Sequence, residues 1–172
     1  WTIPANKALA YNASLKYVLL EINDNKNFVN RKIVIAKDLL EPFKKDTSIE
    51  NIKVLNEFLG KDLNGTICSH PFSKMEYNYD IPMLEANFVT TEQGTGIVHC
   101  APSHGPDDFN LCLNNNIKAI ETVDGDGKYT SEIKLFEGLH IFKANNLIIE
   151  KLDEQKNLVT NGKLTHSYPH SL

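Results

Sequence analysis

The chain has 172 residues, 41% of them hydrophobic and 23% charged, enough for one domain with a sizeable core. Its formal charge of -4 and pI near 5.9 argue against a protein that grips nucleic acid through a broad basic face, which needs Lys and Arg clustered against phosphates. No apolar run approaches the roughly 20 residues of a membrane helix, and Cys68, Cys100 and Cys112, widely spaced with no CxxC pair, fit a reducing cytoplasmic setting rather than a disulfide scaffold or zinc knuckle.

The start, Trp1-Thr2-Ile3-Pro4, has neither an initiator Met nor a charged-then-apolar leader, and is expected to lie inside a longer protein. Leu15 to Ile22 and Phe28 to Ile35 are apolar, β-branched runs joined by Asn23-Asp24-Asn25-Lys26-Asn27, which predicts a hairpin. Ala36 to Lys45 is the first helical pattern. Strands are predicted over Ile52 to Phe58, Thr66 to Ser69, Asn87 to Thr90, Gly96 to Cys100, Ala119 to Val123 and Leu164 to Tyr168. Helices are predicted over Pro106 to Asn115 and Phe142 to Gln155, the latter on the spacing of Phe142, Leu147, Ile148 and Leu152. The fold class is therefore β-rich with peripheral α-helices covering a sheet or barrel. No repeat, low-complexity tract or linker divides residues 1–172, so a single domain is expected.

The densest chemical signal is Gly94-Thr95-Gly96-Ile97-Val98-His99-Cys100-Ala101-Pro102-Ser103-His104-Gly105-Pro106-Asp107-Asp108-Phe109. It reads as a glycine-flanked turn, a short strand ending near His99, a Pro/Gly loop, and a helix with two acids in its first turn. Gly94 and Gly96 let the backbone approach a ligand closely. His99 and Asp108 could project into one space, hold an amine and orient a water. Each element also has a plainer explanation: first-turn acids answer the helix dipole, a lone histidine is commonly a satisfied, partly buried one, and Gly94-Thr95-Gly96 lacks the context of a dinucleotide site.

Other chemistries compete for the same residues. His99, His104, Asp107 and Asp108, with His166 and His170, are metal-donor types, which keeps a metal-dependent hydrolase open as an alternative. The spacing H-x4-H on a strand does not place two imidazoles on one helical face, however, and Pro169 interrupts the second pair. Asp124-Gly125-Asp126-Gly127 resembles part of a calcium loop, but Leu135 stands where the twelfth-position Glu belongs, so a hairpin turn is expected. No metal is expected. Cys100 should face away from His99 by the two-residue strand period and act as a small buried hydrophobe. With no GxSxG elbow, a hydrolase here would activate water.

Trp1-Thr2-Ile3-Pro4-Ala5-Asn6 resembles the end of the Thr-Thr-Thr-Pro-Trp-Thr-Leu-Pro-Ala-Asn signature that opens the editing insertion of isoleucyl-tRNA synthetases. Gly94 to Phe109 resembles that family's GTG-x-VH-x-AP-x-HG-x-x-D motif. Weaker matches follow in order: Leu63-Asn64-Gly65 with His70-Pro71-Phe72, Val123-Asp124 with Gly127-Lys128-Tyr129-Thr130, Gly138 to Leu152, and Thr165-His166-Ser167-Tyr168-Pro169-His170. The valyl and leucyl relatives open on a Thr-Thr-Arg-Pro type of motif instead.

The resemblance implies a β-barrel-like editing fold of the valyl/isoleucyl/leucyl type, inserted into a class I synthetase, with residues 1–7 and 165–172 connecting to the catalytic body. It implies hydrolytic proofreading of valyl-tRNA(Ile), with hydrolysis of valyl-adenylate left open, by a domain without its own cofactor; ATP and Mg belong to the synthetase body. The partners it implies are the CCA end of isoleucine tRNA carrying valine and the rest of the synthetase in cis, with no membrane and a monomeric fragment. It assigns Asp108 to the substrate ammonium and His99 to exclusion of isoleucine. Trp1 and Thr2 become neighbouring wall, Asn6 contacts the adenosine or supports its loop, and Gly94, Thr95 and Gly96 lie against the substrate. The family's threonine run lies upstream of Trp1, so activity of the fragment is an open expectation. A non-catalytic tRNA-docking module is the other alternative, and the acidic balance speaks against it.

Overall fold

The computed structural model describes residues 1–23, 30–92 and 94–162. Among the described residues seven strands appear: β1 (Ala8–Tyr11), β2 (Lys16–Ile22), β3 (Arg31–Ala36), β4 (Ile52–Leu59), β5 (Ile67–Ser69), β6 (Asp80–Glu85) and β7 (Ile97–Cys100). Three α-helices accompany them: α1 (Leu40–Thr47), α2 (Pro106–Asn114) and α3 (Ile141–Glu154). The strands form two sheets, a four-stranded one in the order β5-β6-β1-β7 and a three-stranded antiparallel one in the order β3-β2-β4. The mixed sheets with covering helices match the expected class, but no closed barrel forms among the described residues.

β2 and β3 are the expected hairpin, paired from Tyr17 opposite Ala36 to Ile22 opposite Arg31, with positions 24–29 of its turn outside the described residues. The helical pattern after it divides: Lys37–Leu39 is a 3-10 turn and α1 begins only at Leu40. Pro42 falls in the first turn of α1, where a missing amide hydrogen breaks no helical bond.

Two strands were not legible. β1 is a four-residue run, Ala8-Leu9-Ala10-Tyr11, three of its four positions buried, so it shows no alternation. β6 carries Pro82, which argues against an interior strand; yet β6 lies between β5 and β1, parallel to β1 with Leu9 opposite Met83. Conversely, Asn87 to Thr90 is not a strand, and Ala119 to Val123 supplies only the isolated bridge from Val123 to Tyr129. Leu164 to Tyr168 lies outside the described residues. The Asp124–Gly127 segment is the expected turn: Asp124 Oδ1 accepts the amides of Asp126 and Lys128 at 3.0 and 2.9 Å.

The two sheets share a core of Tyr11, Met83, Tyr17, Ala36, Leu39 and Leu63. They are joined at the start of β7, where the Ala36 amide donates to the Thr95 carbonyl (2.8 Å) and the Tyr17 hydroxyl to the Gly96 carbonyl (2.7 Å). Gly96 sits at φ 73°, and a Cβ there would meet the Ala36 Cβ at 2.4 Å. α2 covers the opposite face of the larger sheet, enclosing Ala8, Ala10, Cys100 and Cys112. α3 buries a stripe of Ala144, Ile148 and Leu152 against Phe72, Tyr129, Ile133 and Phe136. Each fully buried Ile or Leu in such a stripe contributes about 1.5–3 kcal/mol. The stripe is shifted from the expected one: Phe142 is 73% exposed.

Candidate editing site

β7 pairs antiparallel with β1, placing His99 opposite Leu9 and Cys100 opposite Ala8. Successive strand residues face opposite sides, so His99 shares a face with Leu9 and Met83 while Cys100 points beneath α2. Cys100 is fully buried, and burial pushes its thiol up to about 12, assisted by the charge of Asp108. Cys112, beside it in the same cluster, is raised to about 11 for the same leading reason. Both are poor nucleophiles at neutral pH.

On the other face, His99 Nε2 lies 2.9 Å from Thr2 Oγ1, a bond spanning 97 residues of sequence. His99 Nδ1 is buried without a hydrogen-bond partner among the described residues. Whichever nitrogen carries the proton, one polar ring atom stays unsatisfied among the described residues, and buried polar atoms are rarely left so. Burial lowers the His99 pKa while the nearby Asp108 charge pulls it back up, so the ring is largely neutral at pH 7.

The two acids opening α2 take different places. Asp107 is exposed, whereas Asp108 is partly buried and its Oδ2 accepts the Ala101 amide at 2.9 Å, just beyond the end of β7. The preceding Gly105 keeps this space open: a Cβ there would press on the Asp108 carboxyl at 3.3 Å. Asp108 thus stands within electrostatic reach of both His99 and His104. Trp1 closes the other side, its ring edge-on to His104 at 4.6 Å, and His104 Nε2 lies 2.6 Å from Thr122 Oγ1. Asn6 is 3% exposed and its Oδ1 has no partner among the described residues.

The structure therefore brings Trp1, Thr2, His99, His104 and Asp108 into one neighbourhood, with Asn6 in the same short segment as Thr2. The glycine turn stands apart, at the opposite end of β7. Gly96 is buried in the sheet joint, while Gly94 and Thr95 line a separate cavity of about 240 Å³ with Ile33, Phe43 and Val159. Cavities of about 470 Å³ near the end of α1 and about 370 Å³ around His70 and Asn157 are likewise not lined by His99 or Asp108. Sequence reasoning quoted His70 and Tyr129 without giving them a role and did not single out Tyr79 or Thr122; the loaded run Tyr77-Asn78-Tyr79 was the available signal. Among the described residues no group of three His, Cys, Asp or Glu side chains is placed to hold a metal ion, and no helix is long and apolar enough to cross a membrane. His166 and His170 lie outside the described residues.

Over residues 17–161 the sequence matches the family described as leucyl-tRNA synthetase, editing domain. The chain belongs to this editing-domain family. The editing domain is 68% identical over 171 residues to the isoleucine–tRNA ligase of Pelagibacter ubique, covering 99% of this chain and 19% of that protein. It is 40% identical to the isoleucine–tRNA ligase of Gluconobacter oxydans, with 99% and 19% covered. For the isoleucine–tRNA ligase of Francisella tularensis subsp. tularensis the identity is 43%, with 99% and 17% covered. The chain thus spans about a fifth of the length of the curated relatives it matches. Among solved structures it resembles GlLeuRS-CP1, with a TM-score of 0.56 at 18% identity, covering 90% of this chain and 62% of that one. It also resembles the P. falciparum cytosolic leucyl-tRNA synthetase editing domain, with a TM-score of 0.52 at 15% identity, covering 92% and 61%. At these identities the structural likeness concerns the fold. The family match begins after Trp1–Asn6, but the isoleucine–tRNA ligase relatives align across that segment too.

Proposed function

We propose that this editing domain hydrolyses valine from valyl-tRNA(Ile), and valyl-adenylate as a second substrate, acting in cis within an isoleucine–tRNA ligase. The observation that carries the proposal is the meeting of Thr2, His99 and Asp108 at the end of β7, with a His99 ring nitrogen unpaired among the described residues. The relatives are named isoleucine–tRNA ligases, and valine is the smaller amino acid that a pocket built for isoleucine excludes poorly. Isoleucine exceeds valine by one methylene, which a synthetic pocket can use for only about 1–3 kcal/mol of discrimination. A second site that admits valine and is too small for isoleucine supplies the remainder.

In this reading the Asp108 carboxylate pairs with the α-ammonium of the bound aminoacyl group. His99 and Thr2 form the wall against which the side chain rests, and Trp1 extends it. Asn6 faces the terminal adenosine. Water attacks the ester carbonyl, the acyl–oxygen bond breaks, and the ribose oxygen leaves with a proton. Asp108 already accepts the Ala101 amide and in this scheme is engaged by the substrate cation, so it orients substrate rather than acting as general base. The neutral His99 suits a role in contact and hydrogen bonding. The domain uses no cofactor of its own in this scheme, and its nucleic-acid partner is a single-stranded CCA end, which an acidic domain can receive when the rest of the protein binds the tRNA body.

The test is deacylation of valyl- and isoleucyl-tRNA(Ile) by a full-length ligase carrying this domain, with and without chelator. Valyl-tRNA should be hydrolysed and isoleucyl-tRNA spared, unaffected by chelator. Asp108→Asn, which keeps an acceptor for Ala101 but loses the charge, should slow hydrolysis about 100-fold, the equivalent of about 2.7 kcal/mol. His99→Ala should begin to hydrolyse isoleucyl-tRNA. Equal hydrolysis of both substrates by the unmodified enzyme would sink the second-sieve assignment, and chelator sensitivity would restore the metal-dependent alternative.

A further inference from the structure

The segment Trp1–Asn6 contains a single 3-10 turn, Ile3–Ala5, closed by its own bonds from the Ala5 amide to Thr2 and from the Asn6 amide to Ile3. One such turn is too short to hold a direction by itself. Its orientation is set from outside by three ring groups, each on a different stretch of chain and each taking a different backbone carbonyl. The Tyr129 hydroxyl donates to the Trp1 carbonyl at 2.5 Å. His70 Nε2 lies 3.1 Å from the Ile3 carbonyl, and the Tyr79 hydroxyl donates to the Asn6 carbonyl at 3.1 Å.

The three rings are themselves braced. His70 Nδ1 accepts the Phe72 amide at 3.1 Å, so the ring proton sits on Nε2 and is donated to Ile3. The His70 ring is 1% exposed and stacks on Tyr77 at 4.5 Å and 15°. Tyr79 lies within 5.5 Å of the same imidazole and carries the Lys7 ammonium 4.0 Å over its face. Tyr129 packs on Phe136 at 6.0 Å. Three fixed points determine the placement of a rigid body, and the residue carried between the first two is Thr2, the partner of His99.

We infer that His70, Tyr79 and Tyr129 are positioning residues of the editing site, forming a clamp that holds Thr2 at hydrogen-bond distance from His99 and so sets the site's reactivity. The inference rests on the proposed hydrolytic reading for its activity readout, and on the Thr2–His99 bond alone for a second one. None of the three need touch substrate. Removing one hydroxyl leaves the ring packing intact but unpairs a backbone carbonyl and lets Thr2 drift, and small misplacements of this kind cost about 10-fold to 100-fold in rate.

The experiment uses a full-length ligase carrying this domain with Tyr129→Phe, Tyr79→Phe, His70→Phe and His70→Gln, scored by steady-state deacylation of valyl-tRNA and by NMR titration of the His99 ring. Tyr129→Phe and His70→Phe should lower kcat about tenfold with KM within about twofold, and should move the His99 titration. His70→Gln, whose carboxamide reaches the position of Nε2, should restore kcat to within about threefold. Tyr79→Phe is the mildest change and serves if the others fold poorly. Folded variants with unchanged kcat and an unchanged His99 titration would overturn the clamp. If the unmodified enzyme leaves valyl-tRNA intact, the proposed function fails, and the His99 titration still decides the clamp: a shift supports it and no shift overturns it.

Discussion

β7 is only four residues long, and its two ends are built on different principles. At its start, Thr95 and Gly96 are held through their carbonyls by Ala36 and Tyr17, and the joint tolerates no side chain at position 96. At its end, His99 is held through its ring by Thr2, and the following amide by the Asp108 carboxylate. Main-chain anchoring makes the start insensitive to most side-chain chemistry and intolerant of volume. Side-chain anchoring makes the end adjustable, sensitive to protonation, and able to offer polar atoms to a substrate. A strand that is architecture at one end and chemistry at the other keeps the site rigid without filling it.

The largest effect that would break this contrast is expected at the start. Gly96→Ala meets Ala36 at 2.4 Å and forces a side chain into a left-handed conformation, so it should destabilise the chain by about 2–5 kcal/mol, measured by urea unfolding. A loss below about 1 kcal/mol would mean that the joint is softer than its geometry implies.

Next comes acid sensitivity at the other end. Burial holds the His70 pKa down to about 4, with Lys7 and His99 charges lowering it further and the Ile3 bond opposing them. The unfolded chain binds a proton near pH 6.5 while the folded chain refuses it until about 4. Stability from neutral His70 is therefore complete above about 6.5 and is lost as pH falls toward 4, by at most about 3 kcal/mol. Burial of His99 and His104 acts in the same direction. Urea midpoints between pH 7 and 4 should fall less steeply in His70→Phe than in the unmodified chain.

The smallest effect sharpens the contrast between the two faces at the end of β7. Cys100→Ala removes a buried sulfur from the α2 side at a cost of about 1 kcal/mol, and deacylation should stay within about twofold. A large loss of activity would show that the two faces are not chemically separate.

That His99 and Asp108 lie close together was legible because they belong to one contiguous segment, whereas the distance of the glycine turn from them was not. Gly94 to Asp108 falls within one turn–strand–loop–helix unit, and the alternation that separates His99 from Cys100 follows from strand geometry alone. The hairpin β2–β3 was legible for a similar reason, since its pairing is local. β1 and β6 were not, because a four-residue run without alternation and a strand containing Pro82 take their conformation from partners far along the chain. The shifted stripe of α3 reflects the same limit: Phe142 fits the periodicity, but only the packed structure shows that Ala144 lies inward in its place. His70, Tyr79 and Tyr129 could not be assigned a role, because what they hold is a set of backbone carbonyls, and a carbonyl leaves no mark in the sequence.

β1 and β6 run parallel, so the chain must travel from Tyr11 to Asp80 before their ladder can form. Within that excursion the antiparallel sheet β3-β2-β4 closes on itself through nearer contacts. The β1–β7 ladder that brings Thr2 beside His99 closes a longer stretch still, and because closing long loops delays pairing, the three-stranded sheet is expected to be complete before it. A chain caught partway through folding would present a finished sheet while Thr2 and His99 were still apart.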